Sequence, residues 1–252
     1  MKTQNRFRWT ALAGTALLAA CGGGGDDPVV VPVVPEEVRT QNSRSFAPAE
    51  PSATTFAAMA DLTTGTDRWA GVLNGAAYRV EVPATGWNGK LVMYAHGYRG
   101  EGSVLTVSNP SIRRYLIEQG YAWAASSYST NFYDVRTGVE DTNALALAFN
   151  KIAIANGRTL AAPERIYITG HSMGGHVTGA AIEAEAAATA NNKVRYHGAV
   201  PMCGVMGDVE LYNRFAGMQV AAQVLAGVPS YPTDKWSEIQ GLVTSSLFTT
   251  FP

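Results

Sequence analysis

The chain has 252 residues, enough for one large domain or two small ones, and 46% of them are hydrophobic while only 15% are charged. A formal net charge of -1, without any Lys/Arg-rich run, gives no positive field that would gather phosphate groups. These properties argue against nucleic acid as a partner, so the function must be sought in a specific site.

The N-terminus has the pattern of an export signal. Three basic residues, Lys2, Arg6 and Arg8, precede an apolar stretch over residues 9–20. This stretch is too short to span a bilayer and has the form of a secretory signal. We therefore predict a signal peptide over residues 1–20.

A lipidation motif follows directly. Residues 18–21 read Leu-Ala-Ala-Cys, which resembles the lipobox of bacterial lipoproteins and implies acylation of Cys21 after cleavage. Several acyl chains on one cysteine would make a lasting membrane anchor, whereas a single chain binds only marginally. Gly22 follows, where an aspartate would favour inner-membrane retention, so we expect an exported protein tethered in the cell envelope, in the outer membrane or periplasm. The alternative is an ordinary secreted protein with a chance cysteine.

The rest of the chain divides into three parts. Residues 21–60 are predicted to be a flexible linker, because its glycine run and its Pro-Val-Val-Val-Pro-Val-Val-Pro stretch cannot form a helix. A folded core is expected over residues 61–204, with its first regular element near Trp69. A helical lid segment is expected over residues 205–252.

Strand and helix signals alternate through the core. Asn74-Gly75 between apolar runs predicts a β-hairpin. Short apolar runs predict four further buried strands, and apolar residues at helical spacing predict the helices between them. The predicted strands lie in KLVMYAHG, YAWAASSY, RIYITG and VRYHGAVPMCG; the predicted helices cover residues 109–120 with Asn109 as N-cap, residues 135–155, and Gly174 onward. This alternation is typical of an α/β fold, a mostly parallel sheet with helices on both faces.

Ser172 lies in a motif typical of nucleophilic serines. Residues 170–174 read Gly-His-Ser-Met-Gly, which fits G-x-S-x-G with a predicted strand before it and a small-residue helix after it. Such a sharp turn strains the serine backbone by on the order of 1–3 kcal/mol. The glycines are needed because bulkier neighbours would collide with adjacent strands. The new helix also directs free N–H groups at the place where an oxyanion would develop.

A second loop, residues 94–100 (YAHGYRG), supplies the other candidate oxyanion donor. Gly97 lets the chain turn away from its strand, which leaves the amide of Tyr98 beside that of Met173 as the predicted oxyanion hole. With the motif and the order of elements, this loop makes residues 69–204 resemble the first part of an α/β-hydrolase. The resemblance implies a serine hydrolase that attacks a small-molecule carboxylic ester through an acyl-enzyme.

The triad histidine is missing from the position that this resemblance implies. In that fold it follows the acid near the end of the chain, whereas the last histidine here is His197. We expect His96 to brace the oxyanion loop and His171 to pack beneath the elbow. His176 has no evident approach to the serine oxygen, and His197 lies roughly 20 Å away along its strand.

The triad acid and the last strands of the resembled fold are also not evident in the sequence. Asp208 is a weak candidate acid, while Glu140 and Asp141 are more simply a solvated helix face. Two helical segments follow the fourth strand at the place where α/β-hydrolases carry lids. We therefore expect a C-terminally truncated chain that lacks the last strands, the triad histidine and the usual acid. The first segment has an apolar stripe of Leu211, Phe215, Met218, Ala222 and Leu225, and the second contains DKWSEIQGLV.

Three functions therefore stay open. An esterase or lipase is favoured slightly over a serine peptidase, because His171 precedes the serine. A catalytically inactive binding lipoprotein of the same fold is the third possibility, since loss of a triad member nearly abolishes turnover. No His or Cys pair has metal-ligand spacing, so no metal and no cofactor are expected. Cys203 is predicted to be a buried apolar residue, or else to have a partner outside this chain.

Overall fold

A computed structural model describes residues 40–50, 55–228 and 236–250. Between residues 104 and 202 its strands and helices alternate, as predicted for the core. In chain order the regular elements are a 3₁₀ turn (Thr40–Ser43), β1 (Ala47–Pro48), β2 (Thr66–Leu73), β3 (Ala76–Pro83), β4 (Lys90–Ala95), β5 (Val104–Leu105), α1 (Arg113–Glu118), β6 (Ala122–Ser126), α2 (Val135–Ala155), β7 (Arg165–His171), α3 (Met173–Ala180), α4 (Ala184–Thr189), β8 (Gly198–Met202), α5 (Asp208–Leu225) and α6 (Trp236–Thr250).

Six of these strands form one twisted central sheet in the spatial order β2-β3-β6-β4-β7-β8. β3 is antiparallel to both of its neighbours, β2 and β6. β6, β4, β7 and β8 are all parallel. The short strands β1 and β5 pair separately. This arrangement confirms the predicted α/β fold with a mostly parallel sheet. It also brings the carboxyl ends of β4, β6, β7 and β8 to one edge, where ligands bind in open α/β sheets.

Alternating strand residues divide the core into two layers. On one face, Leu91 and Met93 of β4 pack with α2 and α3. On the other face, Val92 and Tyr94 of the same strand pack with α1. Helices therefore cover both faces of the sheet, and this explains why the buried strands read as nearly continuous apolar runs.

The predicted hairpin is confirmed. β2 and β3 are joined by Asn74 and Gly75, whose φ angles of 50° and 85° are both in the left-handed region. A two-residue type I′ turn requires positive φ at both positions, and Asn-Gly is the pair that adopts it most readily.

The helices agree with prediction except at one end. α2 covers the predicted residues 135–155, with the side chain of Asp134 accepting a hydrogen bond from the Thr137 amide at its start. α1 begins only at Arg113, so the prediction of a helix capped by Asn109 is wrong at that end. The Asn109 side chain instead accepts a hydrogen bond from Arg79, 2.9 Å away on the neighbouring sheet.

A buried ion pair ties α1 to the sheet. Glu81 in β3 is fully buried, and its carboxylate accepts two hydrogen bonds from Arg113, of 2.6 and 2.9 Å. The indole of Trp123 donates to the same carboxylate over 2.8 Å, and Thr66 donates a fourth bond. Such bidentate contacts, with the remaining lone pairs satisfied, are the geometry in which a buried charge is tolerated.

A short N-terminal segment, residues 55–60, packs against the same face. The ring of Phe56 lies 5.4 Å from that of Trp123. Residues 1–39, which carry the predicted signal peptide and about half of the predicted linker, lie outside the described residues. The segment is held through its main chain: Arg79 donates to the carbonyl of Thr55, Arg113 to that of Ala57 and Arg114 to that of Ala60.

Both predicted C-terminal segments are helical, as α5 and α6. The apolar stripe of α5 is largely exposed among the described residues, since Phe215, Met218 and Leu225 are 49%, 65% and 60% exposed. Of the described strands, β8 is paired only with β7. None of the helices in the described ranges is both long enough and apolar enough to cross a bilayer.

Candidate active site

Ser172 occupies the turn between β7 and α3, at the carboxyl edge of the sheet. Its backbone has φ 56° and ψ −127°, a region that residues other than glycine rarely adopt. A conformation of this kind costs about 1–3 kcal/mol and persists only where the surroundings impose it. The strain predicted from the G-x-S-x-G pattern is therefore present at this serine.

Three glycines make the turn possible. A Cβ on Gly170 would meet the carbonyl oxygen of Ala95, and one on Gly174 would lie 2.7 Å from the carbonyl oxygen of His96. A Cβ on Gly175 would lie 2.5 Å from the carbonyl oxygen of Met202. All three obstacles are backbone atoms of β4, of the loop after it or of β8, and backbone atoms cannot rotate away as a side chain can. The packing thus explains each glycine of the motif.

The loop after β4 lies against the serine. A Cβ on Gly97 would stand 3.4 Å from the Cβ of Ser172 and 3.3 Å from the carbonyl oxygen of His171. Tyr98, the next residue, is 47% exposed. No acceptor among the described residues bonds to the amide of Tyr98 or to that of Met173. Neither predicted donor is therefore occupied by an acceptor in the described residues, and their role as an oxyanion hole stays a prediction.

His96 braces this loop, as predicted. The imidazole is buried, with Nδ1 lying 2.6 Å from the Gly97 carbonyl oxygen and Nε2 3.0 Å from that of Ser127. Its ring stacks on Tyr128 at 4.1 Å, and the Tyr128 hydroxyl donates to the His96 carbonyl. Burial lowers the pKa of His96 despite these carbonyl contacts. The ring joins the loops after β4 and β6 and is engaged away from the serine.

Sequence reasoning missed Tyr128 as part of this brace. Burial raises the pKa of its hydroxyl, which stays protonated and donates to the loop. The residue has φ 59° directly after β6. Its only sequence signal was the position after an apolar strand, in the Ser-Ser-Tyr triplet at residues 126–128.

The other histidines do not contact Ser172 through any hydrogen bond in the described structure. His171 is exposed, so the prediction that it packs beneath the elbow is wrong; its Nδ1 lies 3.0 Å from the Tyr94 hydroxyl. His176 is directed to Tyr133, whose hydroxyl is 3.0 Å from its Nδ1. His197 accepts a hydrogen bond from the amide of Ile166, at the start of β7. That places it at the far end of the strand, as predicted.

The candidate acids are also engaged elsewhere. The carboxylate of Glu140 accepts hydrogen bonds from the backbone amides of Asn191 and Asn192, and that of Asp141 accepts one of 2.6 Å from the amide of Ser129. The prediction that they form a solvated face is therefore wrong. Burial raises the pKa of Asp141, partly offset by its bond to Ser129. Asp208 begins α5, but its side chain lies outside the described residues.

Cys203 also differs from its prediction. It comes directly after β8 with φ 50° and its thiol is exposed, so the expectation of a buried apolar residue is wrong. An edge strand has a neighbour on one side only, so the residue at its end is poorly covered. In the described part of the chain, no three His, Cys, Asp or Glu side chains are grouped as metal ligands would be.

Comparisons with known proteins give weak structural likenesses. No protein-family model matches the chain, and no curated protein sequence matches it. Esterase B from Lactobacillus rhamnosis, solved with an inhibitor, is similar with a TM-score of 0.39 and 20% identity over 68% of this chain and 55% of that one. The rice cell wall degrading esterase LipA from Xanthomonas oryzae has a TM-score of 0.41 and 15% identity, over 70% and 58% of the two chains. For an esterase from Rhizomucor miehei the values are 0.40 and 15%, over 62% and 50%.

The chain thus spans between half and three fifths of the length of these solved structures. At such identities and TM-scores, the assignment of the fold rests on the strand order and the elbow of this chain itself.

Proposed function

We propose that this chain carries the nucleophile and oxyanion hole of a serine hydrolase that cleaves small-molecule carboxylic esters. The observation that carries the proposal is the backbone of Ser172, at φ 56° and ψ −127°, with the Gly97 loop against it. Strain of this kind clusters at functional sites, and here it presents the hydroxyl at the sheet edge. A serine that merely capped a helix would need neither the strain nor the loop.

The reaction follows from the arrangement of these groups. The Ser172 oxygen attacks the ester carbonyl carbon while a base takes its proton, and the carbonyl electron pair moves to oxygen. The amides of Tyr98 and Met173 donate to that oxyanion, and one such donor is typically worth about 10²–10³ in rate. The alcohol leaves with the proton from the base. Water then attacks the acyl-enzyme and releases the acid.

In this proposal a histidine acts as the general base, and none of the four histidines in the described residues hydrogen-bonds to the Ser172 hydroxyl. His96 is held by two carbonyl oxygens, His171 and His176 each meet a tyrosine hydroxyl, and His197 lies at the opposite end of β7. Ester rather than amide substrates are favoured by the histidine that precedes the nucleophile.

A fluorophosphonate probe tests the nucleophile. The complete gene product that contains this sequence should be labelled at Ser172, as read by mass spectrometry of the modified peptide. Ser172→Ala should lose the label, because the activated oxygen is gone. Ser245→Ala is the matched control: this serine is exposed on α6, and its loss should leave labelling unchanged. Continued labelling of Ser172→Ala at another residue would refute the assignment.

A complete gene product that resists the probe would favour the other candidate, a binding protein that keeps the fold without the chemistry. The observation behind that candidate is that no described histidine bonds to the Ser172 hydroxyl. Binding without turnover of an ester would then be its expected property.

We further propose that the protein is exported and anchored in the cell envelope through Cys21, which lies outside the described residues. The support is the Leu-Ala-Ala-Cys stretch after a short apolar segment. In cells fed a clickable fatty acid, the protein should become labelled with it. Detergent should be needed to extract the protein from isolated membranes. Cys21→Ala should lose both properties, because it removes the acylated sulfur. Equal incorporation into both forms would contradict the anchor.

A further inference from the structure

An aromatic cluster adjoins the elbow. We define it as His176, Tyr133, Tyr212 and Phe215. The ring of Tyr133 lies 5.9 Å from that of His176 and 5.8 Å from that of Tyr212, and Phe215 continues the row at 6.4 Å from Tyr212. The last two contacts are edge-to-face, with interplanar angles of 89°. These are favourable aromatic geometries, so the row is a packed unit.

The cluster begins at the nucleophile. His176 lies one turn along α3 from Ser172, and its amide donates to the Ser172 carbonyl over 3.1 Å. Residues four apart on a helix are neighbours on one face. Tyr133 follows β6, whose carboxyl end is at the same sheet edge as the elbow. The row therefore runs from the first turn of the helix that follows Ser172 to α5.

The far end of the cluster is open to a ligand. Tyr212 is 44% exposed and Phe215 is 49% exposed, although both are large apolar rings. Tyr133 is half-buried, and burial, followed by its hydrogen bond with Tyr212, raises the pKa of its hydroxyl. The hydroxyl of Tyr133 is thus engaged by His176, while the exposed ring faces of Tyr212 and Phe215 are left for a ligand.

We propose that this aromatic cluster is the specificity-determining wall for the apolar part of the ester, so that the preferred substrates carry a medium-length aliphatic or an aromatic group. The proposal rests on the proposed function, since it assumes that Ser172 attacks the ester. An apolar group that lies along the row contacts ring faces that otherwise meet water, whereas an acetyl group has only one methyl group to offer them. Tyr212 brings α5 into substrate selection.

The test uses two ester series on the complete gene product. p-Nitrophenyl acetate, butyrate, octanoate and phenylacetate vary the acyl group, while ethyl, octyl and benzyl acetate vary the alcohol. Tyr212→Ala should lower kcat/KM at least about tenfold more for the large members of one series than for its smallest member, mostly through KM. The affected series tells whether the wall takes the acyl or the alcohol side.

Two controls separate the ring from other effects. Tyr212→Phe keeps the ring and should keep the size preference within about threefold. Tyr115→Ala removes another exposed tyrosine, on α1 at the opposite face of the sheet, and should change neither series. If Tyr212→Ala keeps the size preference while hydrolysis still depends on Ser172, the proposal of an aromatic wall is wrong and the proposed function stands. A lack of Ser172-dependent hydrolysis of every ester would overturn the proposed function and the wall with it.

Discussion

Replacing Ser172 with glycine is expected to abolish ester hydrolysis and, at the same time, to raise the free energy of unfolding by about 1–2 kcal/mol. The strain at φ 56° and ψ −127° disappears because glycine adopts this region freely. The gain is smaller than the full strain, since glycine also makes the unfolded chain more disordered. Loss of a catalytic nucleophile can cost about 10⁶ in turnover.

Ser172→Ala is the matched variant for this prediction. Alanine removes the hydroxyl but keeps the Cβ and hence the strain, so its turnover should fall equally while its stability stays near that of the unmodified protein. Urea unfolding of the complete gene product measures both free energies. Equal unfolding midpoints for the glycine and alanine variants would mean that the elbow stores no strain.

Gly174→Ala is expected to destabilise the fold by more than about 3 kcal/mol and to prevent labelling of Ser172 by the probe. A Cβ at this position would overlap the carbonyl of Ala95, whose carbon would be 2.6 Å away, and approach the His96 carbonyl oxygen at 2.7 Å. These atoms belong to β4 and its loop, so relief requires that the elbow and the oxyanion loop separate. Both the sheet packing and the site geometry would suffer.

Gly217→Ala in α5 is the control for that change. A Cβ there would meet no atom within 4 Å, and alanine in a helix interior is more favourable than glycine by about 0.5–1 kcal/mol. The control should therefore be slightly stabilised in the same urea titration. A Gly174→Ala protein with an unchanged midpoint and normal labelling would contradict the tight packing described for the elbow.

Local chemistry made much of the fold predictable. Asn74-Gly75 selects one turn type, residues 135–155 keep a helical period, and the buried parallel strands are nearly all apolar. Ser172 could be recognised because its motif combines a backbone requirement with a strand before it and a helix after it. In each case the determining residues are close together in the sequence.

The errors arose where distant residues decide the outcome. Asn109 does not cap α1 because Arg79, thirty residues earlier, bonds to its side chain. Glu81 between Val80 and Val82 gave no sign of its burial, which is possible because Arg113, thirty-two residues later, pairs with its carboxylate. Contacts of this range leave no periodic signal in the sequence.

Arg79, Arg113 and Arg114 bind the segment over residues 55–60 through its carbonyl oxygens, and Phe56 and Met59 are its large side chains that pack against the core. Every residue type has the same backbone carbonyl group, so these three hydrogen bonds depend on the backbone conformation of the segment and not on its side chains. Apart from Phe56 and Met59, the residues of this segment can therefore change in evolution without releasing it from the domain. Mutational tolerance here should be high while attachment is kept.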